Sequence, residues 1–171
     1  MYKRQRKARA RGHVLEGLAV ALSNIDPVIE LIKTSANASE ARDRLVATPW
    51  RSENVAKMLE AAGPDAARPD GLEAQFGFKE NGDYYHSPEQ AQAILEMRLN
   101  RLTGLEQDRL IDEYAEIIKT IAELLLILDN TERLMEIIQE ELIAVRDEYG
   151  DERLTEIVGT QEDLTIEDLI T

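Results

Sequence analysis

The sequence predicts a mainly α-helical protein in which a long antiparallel two-helix coiled-coil arm carries a small helical globular head. Two distant stretches repeat apolar residues at alternating steps of three and four, the spacing of one face of a packed helix. About seventy residues separate them. A chain that leaves along one helix and returns along the other pairs them antiparallel. The predicted seam is formed by Leu15, Leu18, Leu22, Ile25, Ile29 and Ile32 on one side and by Ile111, Tyr114, Ile118, Ile121, Leu125 and Leu128 on the other.

The composition limits the classes of function. The 171 residues contain no cysteine, which excludes disulfides and Cys-built metal sites and fits a cytoplasmic protein. The apolar runs are too short to cross a bilayer, so no membrane is expected. The net charge is −14, yet six of the first eleven residues are basic. Because an acidic body repels phosphate, only this basic stretch is a candidate for contact with nucleic acid; a solvated helix start is the alternative.

The outgoing coiled-coil helix is predicted over residues 1–33. Pro27 interrupts it, and Asp26 is a suitable cap for the helix that follows, so we expect a kink there.

Residues 34–104 are predicted to form the head, with short helices over 39–46 and 52–62. Ser39 is one candidate cap for the first. Asn81–Gly82 favours a small hairpin, and Ser87 with Gln90 has the pattern of a capping box that opens a helix to residue 102.

Residues 105–149 are predicted to be the return helices of the arm, with a break near Asp129. Residues 150–171 alternate like the beginning of a strand that would join the rest of a longer chain.

No catalytic, cofactor-binding or metal-binding constellation is present in the sequence. His13 and His86 are far apart and lie in no ligand spacing, and both phosphate-binding glycine motifs are absent. Acidic residues near 147–152 could hold a cation, but a solvated helix end explains them better. The residues alone therefore predict a chain without enzymatic activity.

Five long blocks of the sequence are informative together: RGHVLEGLAVALSNIDPVIELIK, LVATPW, NVAKMLEAAGPDAARPDGLE, SPEQAQAILEMRLNRLTGLEQDRLIDEY and DNTERLMEIIQEELIAVRDEYGDERLTEI. In this order they resemble the A-subunit family of DNA gyrase, a bacterial type II topoisomerase. The segment at 48–86 resembles the longer version found in some gyrases, which favours gyrase over the related topoisomerase IV. The resemblance implies a middle fragment, in which two heads meet to form the exit gate of an enzyme that supercoils DNA negatively by ATP-driven double-strand passage.

The resemblance also implies the partners and the missing parts. The expected partners are a second copy through the head, the gyrase B subunit in an A2B2 enzyme, and duplex DNA passing through the gate. The cutting tyrosine has no match here, and ATP and magnesium are expected to bind elsewhere in the full enzyme, so the fragment alone should be inactive.

The expected dimer interface lies on the last helix of the head and comprises Ala91, Ile94, Leu95, Arg98, Leu99 and Leu102. The residues expected to face DNA are Lys3, Arg4, Arg6, Lys7, Arg9 and Arg11. An alternative hypothesis is a stand-alone antiparallel coiled-coil adaptor, or dimerisation module, with a basic nucleic-acid-binding arm. An all-α hydrolase is a third option that lacks any catalytic constellation.

Overall fold

The computed structural model describes residues 1–63, 65–98 and 102–155, which are mainly helical as the sequence predicts. The chain divides into two compact units, Met1–Leu134 and Met135–Thr171. The helices and strands follow in order: α1 (Tyr2–Ser23), α2 (Ile25–Lys33), α3 (Ala38–Ala47), α4 (Glu53–Ala62), β1 (Gly77–Phe78), β2 (Tyr84–Tyr85), α5 (Pro88–Leu95), α6 (Gly104–Asp129) and α7 (Thr131–Tyr149).

α1 and α6 pack against each other as an antiparallel pair. Gly12 lies against Ile121, while Glu16, one turn later in α1, meets Tyr114, which comes earlier in α6. A Cβ atom at Gly12 would lie 3.0 Å from Cδ1 of Ile121, so the two helix axes approach closely at this position. This pair forms the centre of the hydrophobic core.

The twelve predicted seam residues are buried or half-buried. Six are buried: Leu15, Leu18, Leu22, Tyr114, Ile118 and Ile121. The other six are half-buried: Ile25, Ile29 and Ile32, which lie in α2, and Ile111, Leu125 and Leu128, which lie in α6. Leu110 of α6 is not a seam residue, yet it is only 2% exposed. The buried face of α6 is therefore wider than a two-stranded seam.

The first unit differs from a bare arm with a head at its tip. Asp70, from the predicted head, pairs with Arg6 and Arg9 near the start of α1, and Ala67 lies against Gly12. The residues at 18–22 are all buried, so that part of α1 is covered on every side. Heptad spacing indicates which face of a helix is most apolar but does not indicate which elements cover the other faces. The finer division at residues 33, 104 and 149 stays a prediction.

The break in the outgoing helix lies at Asn24, three residues before the predicted kink at Pro27. A proline ring clashes with the carbonyl group four residues earlier, which here belongs to Ser23, the last residue of α1. The side-chain amide of Asn24 donates hydrogen bonds from Nδ2 to the carbonyl oxygens of Val20 (2.9 Å) and Arg51 (2.8 Å). Pro27 consequently falls in the first turn of α2, and Asp26 is not its cap.

α3 and α4 begin at side-chain caps. Asn37, rather than the predicted Ser39, accepts a hydrogen bond from the backbone N–H of Glu40 and starts α3 one residue earlier. Ser52 caps α4.

The predicted hairpin is present between β1 and β2. Its strands pair antiparallel in the register Gly77 with Tyr85 and Phe78 with Tyr84. Gly82 has φ +81°, a left-handed conformation that favours glycine in such turns. The backbone of Trp50 exchanges two hydrogen bonds with Tyr84 and so ties the end of α3 to the hairpin.

α5 opens with the predicted capping box, in which Ser87 and Gln90 satisfy each other's backbone N–H groups. The helix ends at Leu95, earlier than the predicted residue 102. No glycine or proline marks this end, so apolar spacing could not locate it. Leu99, one of the expected interface residues, lies outside the described residues.

α7 lies mostly in the second unit. The Asn130 side chain accepts from the backbone N–H groups of Glu132 and Arg133 and so caps α7, which begins after α6 ends at Asp129. None of the side chains of α7 is buried. Residues 151–155 form no strand, and the rest of the strand-like tail lies outside the described residues. Within the described ranges, no helix is long and apolar enough to cross a membrane.

Candidate functional site

The predicted interface residues divide into buried and exposed groups. Ala91 and Ile94 are 0% and 3% exposed because they face the core of their own chain, which leaves little of their surface for a partner. Leu95 is half-buried against the core, as is Leu102, and Arg98 is exposed. The surface that remains, which we call the α5 end, consists of Leu95, Met97, Arg98 and Leu102, with Leu105 beside it in sequence.

The α5 end adjoins the start of α6. Arg98 and Met97 share a groove with Glu106 of α6 and with Arg11 and Leu18 of α1. Leu105 is 66% exposed and adds apolar surface next to this groove. The α5 end therefore combines half-buried apolar residues with an exposed guanidinium group, the composition of a modest and partly polar contact surface.

Acidic groups of the same chain pair with Arg6, Arg9 and Arg11, which are among the basic residues predicted to face DNA. Asp70 lies 3.3 Å from Arg6 and 3.1 Å from Arg9, and Arg11 donates to Glu113 with its Nε at 3.0 Å. The other three predicted residues, Lys3, Arg4 and Lys7, have exposed side chains. The basic start of α1 is therefore partly neutralised by Asp70 and Glu113.

A group of buried polar side chains lies beneath the α5 end, where α1, β2, α5 and α6 meet. We call it the polar junction; it consists of His13, Glu16, Tyr84, His86, Ser87, Gln90 and Tyr114. Tyr84 and Tyr114 are fully buried aromatic residues, and each of the others is polar or charged and at most 6% exposed. Burial of so many polar groups is tolerated only where they hydrogen-bond to one another.

Gln90 is the centre of the junction. Its Oε1 accepts from the backbone N–H of Ser87 at 2.9 Å, which fixes the orientation of the amide. Its Nε2 lies 2.7 Å from the carbonyl oxygen of His13 and 2.6 Å from the hydroxyl of Tyr84. Since an amide nitrogen only donates, the Tyr84 hydroxyl accepts from Gln90 and its own hydrogen remains to be donated elsewhere.

His13 links α1 to the cap of α5. Its Nε2 lies 2.8 Å from Oγ of Ser87, and its Nδ1 lies 3.2 Å from Nε2 of Gln90, whose two hydrogens are directed to the nearer His13 carbonyl oxygen and Tyr84 hydroxyl. Burial lowers the pKa of His13 to about 4, and the positive charge of Arg68 acts in the same direction. The ring is neutral at pH 7.

His86 is the second buried histidine. Its Nε2 donates to the carbonyl oxygen of Gly17 at 3.1 Å, and its ring lies between those of Trp50 and Tyr84. Burial lowers its pKa to about 4, against an opposing effect of the Gly17 carbonyl. Both histidines therefore have structural partners, and the described residues contain no group of side chains that could hold a metal ion.

Glu16 is the buried carboxyl group of the polar junction. It is 6% exposed, and one oxygen accepts from the Tyr114 hydroxyl at 3.0 Å. Burial raises its pKa to about 7, although hydrogen bonding by Tyr84 and Tyr114 and the charge of Arg68 favour the ionised form. Among the described residues, no ion pair joins Glu16 to a basic side chain.

Comparison with known proteins decides the family. The model of the family that comprises the A subunits of DNA gyrase and topoisomerase IV matches residues 2–143. The chain belongs to this family. It is 63% identical over 166 residues to the DNA gyrase A subunit of Pseudomonas aeruginosa, a match that covers 97% of this chain and 18% of that protein. The corresponding proteins of Escherichia coli and Neisseria gonorrhoeae are 57% and 47% identical, over 97% and 98% of this chain and 19% and 18% of theirs.

This member of the gyrase/topoisomerase IV family spans less than a fifth of the length of these relatives. Both the α5 end and the polar junction lie within the matched residues. Sequence reasoning found the first but missed the second, because its members are spread over a hundred positions. The one local signal was Glu16, an acidic residue that interrupts the apolar residues of VLEGLAVAL.

Proposed function

We propose that this chain is the exit-gate region of the DNA gyrase A subunit, within an ATP-dependent type II topoisomerase that negatively supercoils DNA by double-strand passage. Membership of the gyrase/topoisomerase IV family carries the proposal. In it, two copies dimerise through the head, the B subunit completes an A2B2 enzyme, and a duplex leaves between the two copies. ATP and magnesium bind in other parts of that enzyme, which acts in the bacterial cytoplasm, and this chain alone is inactive.

The contact surface in this proposal is the α5 end. Its exposed Arg98 and Leu105 lie beside half-buried Leu95 and Leu102, so a second copy can cover apolar area without any change in the core. An interface that must open repeatedly should be small, near the lower limit of about 1,200 Å² for specific contacts. A symmetric dimer would place the same patch on both copies.

The oligomeric state of the chain tests this proposal. Sedimentation velocity at concentrations up to about 100 µM should show a dimer, because weak specific interfaces have dissociation constants in the micromolar range. Arg98→Glu should weaken the dimer at least tenfold, since it reverses an exposed charge and leaves the core intact. Leu126→Arg is the matched control: Leu126 is 61% exposed and lies near the other end of α6, about 30 Å from Leu105.

Two results would count against the gate. One is a wild-type chain that stays monomeric over the whole concentration range. The other is a dimer that Leu126→Arg weakens as much as Arg98→Glu does.

The basic start of α1 is proposed to line the path of the transported duplex. Lys3, Arg4 and Lys7 provide the contact with phosphate because their side chains are exposed. In a full-length gyrase, replacing Lys3, Arg4 and Lys7 by Gln should lower strand passage more at low salt than at high salt and flatten its salt dependence, because screening already weakens these contacts at high salt. An unchanged salt profile would leave these residues as a solvated helix surface.

A further inference from the structure

Glu16 occupies a position that connects four elements of the first unit. It projects from α1, accepts a hydrogen bond from the Tyr114 hydroxyl of α6 and faces the Tyr84 hydroxyl of β2. Tyr84 in turn accepts from Gln90 of α5, so that one chain of hydrogen bonds runs from α6 through Glu16 to α5. The charged groups nearest to it are Arg68 and Asp65, both in the segment that follows α4.

The two protonation states of Glu16 place different demands on this chain of hydrogen bonds. Ionised, the carboxylate accepts from both phenols, but it remains a buried charge whose nearest opposite charge, Arg68, donates its hydrogen bonds to the carbonyl oxygens of Leu72, Glu73 and Phe76. Neutral, the group costs much less to bury and still accepts from Tyr114 with one oxygen. Opening the junction to water stabilises the ionised form alone.

We propose that Glu16 is a proton-linked clamp, whose neutral form holds α6, the hairpin and α5 on α1 and whose ionised form loosens that junction. The raised pKa of about 7 places the transition near neutrality. The direction follows from linkage: the folded chain binds this proton more tightly than the unfolded chain, so the contribution of Glu16 is fully present at low pH and is lost as pH rises through about 7. Between pH 6 and pH 8 its contribution to the folding equilibrium should fall about tenfold.

In the wild-type protein, the two buried histidines offset the pH dependence of stability that Glu16 causes. His13 and His86 have pKa values lowered to about 4, so their contributions increase with pH over the same range and oppose that of Glu16. The informative quantity is therefore the ratio of the folding constants of wild type and Glu16→Gln at each pH. All other groups cancel in that ratio.

Urea unfolding of the chain, followed by Trp50 fluorescence, measures this ratio. Trp50 is the single tryptophan; it is 5% exposed and its ring lies 5.9 Å from that of His86 in the junction. The wild-type to Glu16→Gln ratio should fall about tenfold from pH 6 to pH 8. Glu123→Gln, an exposed carboxyl on α6, is the matched control and should give a constant ratio. A Glu16→Gln ratio that varies less than twofold would overturn the clamp.

A second measurement applies even if Glu16→Gln fails to fold. The side-chain carboxyl ¹³C shift of Glu16 in the wild-type chain should titrate with a midpoint near pH 7, and Tyr114→Phe should move that midpoint upward by removing a hydrogen bond to the ionised form. A purely structural tyrosine would leave the midpoint in place. A midpoint near the ordinary value of about 4.3 would refute the proposal.

The clamp has a consequence for dimerisation that rests on the proposed function. Because α5 leads directly to the α5 end, loosening of the junction should weaken the dimer of the wild-type chain at pH 8 relative to the Glu16→Gln dimer. A chain that never dimerises would contradict the gate and leave the unfolding ratio to decide on the clamp. A chain that dimerises but has an unfolding ratio independent of pH would contradict the clamp and leave the exit-gate proposal intact.

Discussion

Gly17 is the point of closest approach between α1 and α5, and replacing it with Ala tests how tightly the polar junction is built. A Cβ atom there would lie 2.6 to 2.8 Å from Cγ, Cβ and Cδ of Gln90. Gln90 is fully buried and cannot swing away, because its amide holds His13, Tyr84 and the Ser87 backbone. The methyl group can be accommodated only if α5 moves.

The expected magnitude has two opposing parts. Overpacking of a core costs about 1–3 kcal/mol, and loss of a buried hydrogen bond of Gln90 adds about 1–3 kcal/mol. Ala is favoured over Gly inside a helix by about 1 kcal/mol. Gly17→Ala should therefore lower the free energy of unfolding by roughly 1–5 kcal/mol.

Gly104→Ala is the matched control. Gly104 is the first residue of α6, and a Cβ atom there would meet nothing within 4 Å. This substitution should leave the free energy of unfolding unchanged or raise it by up to about 1 kcal/mol. Urea unfolding followed by Trp50 fluorescence and far-UV circular dichroism measures both variants. A Gly17→Ala protein as stable as Gly104→Ala would refute the close packing of α5 on α1.

Three further predictions concern the junction and the helix caps. Tyr114→Phe should lower the free energy of unfolding at pH 8 by about 1.5–3 kcal/mol, the range for a hydrogen bond to a charged group, whereas Tyr149→Phe, on a side chain 72% exposed, should change nothing. Asn37→Ala should destabilise by about 1 kcal/mol and Ser39→Ala should be neutral, and the reverse order would show that Ser39 is the cap. Acidification from pH 6.5 towards pH 4 should lower stability, since the unfolded chain binds the protons of the two buried histidines first and this outweighs the opposing contribution of the single carboxyl of Glu16; a flat profile there would contradict the burial of the histidines.

Much of the local structure could be predicted from the sequence. The spacing of Leu15, Leu18 and Leu22 identified the buried face of α1, and the Ser87–Gln90 pair identified the start of α5 from its capping box alone. Asn81–Gly82 identified the hairpin. These features depend on residues a few positions apart, so a single stretch of sequence contains the whole signal.

The features that sequence reasoning missed depend on distant residues. The helix break at Asn24 is fixed partly by the carbonyl of Arg51, and the cover of α1 depends on Asp70 and Ala67. Ala91 and Ile94 belong to the expected dimer interface, yet the face they occupy is the one that the core covers. The periodicity of an amphipathic helix cannot distinguish a face buried in its own chain from a face offered to a partner.

The distance between matching positions of two copies tests the central claim that the chain dimerises through the α5 end. The chain has no cysteine, so Arg98→Cys and Leu126→Cys each provide a single site for a spin label. Double electron–electron resonance should give a shorter distance between the two labels at 98 than between the two labels at 126, because these positions lie near opposite ends of α6. A shorter distance at 126, or no dipolar coupling at 98 in a sample that sediments as a dimer, would contradict this account.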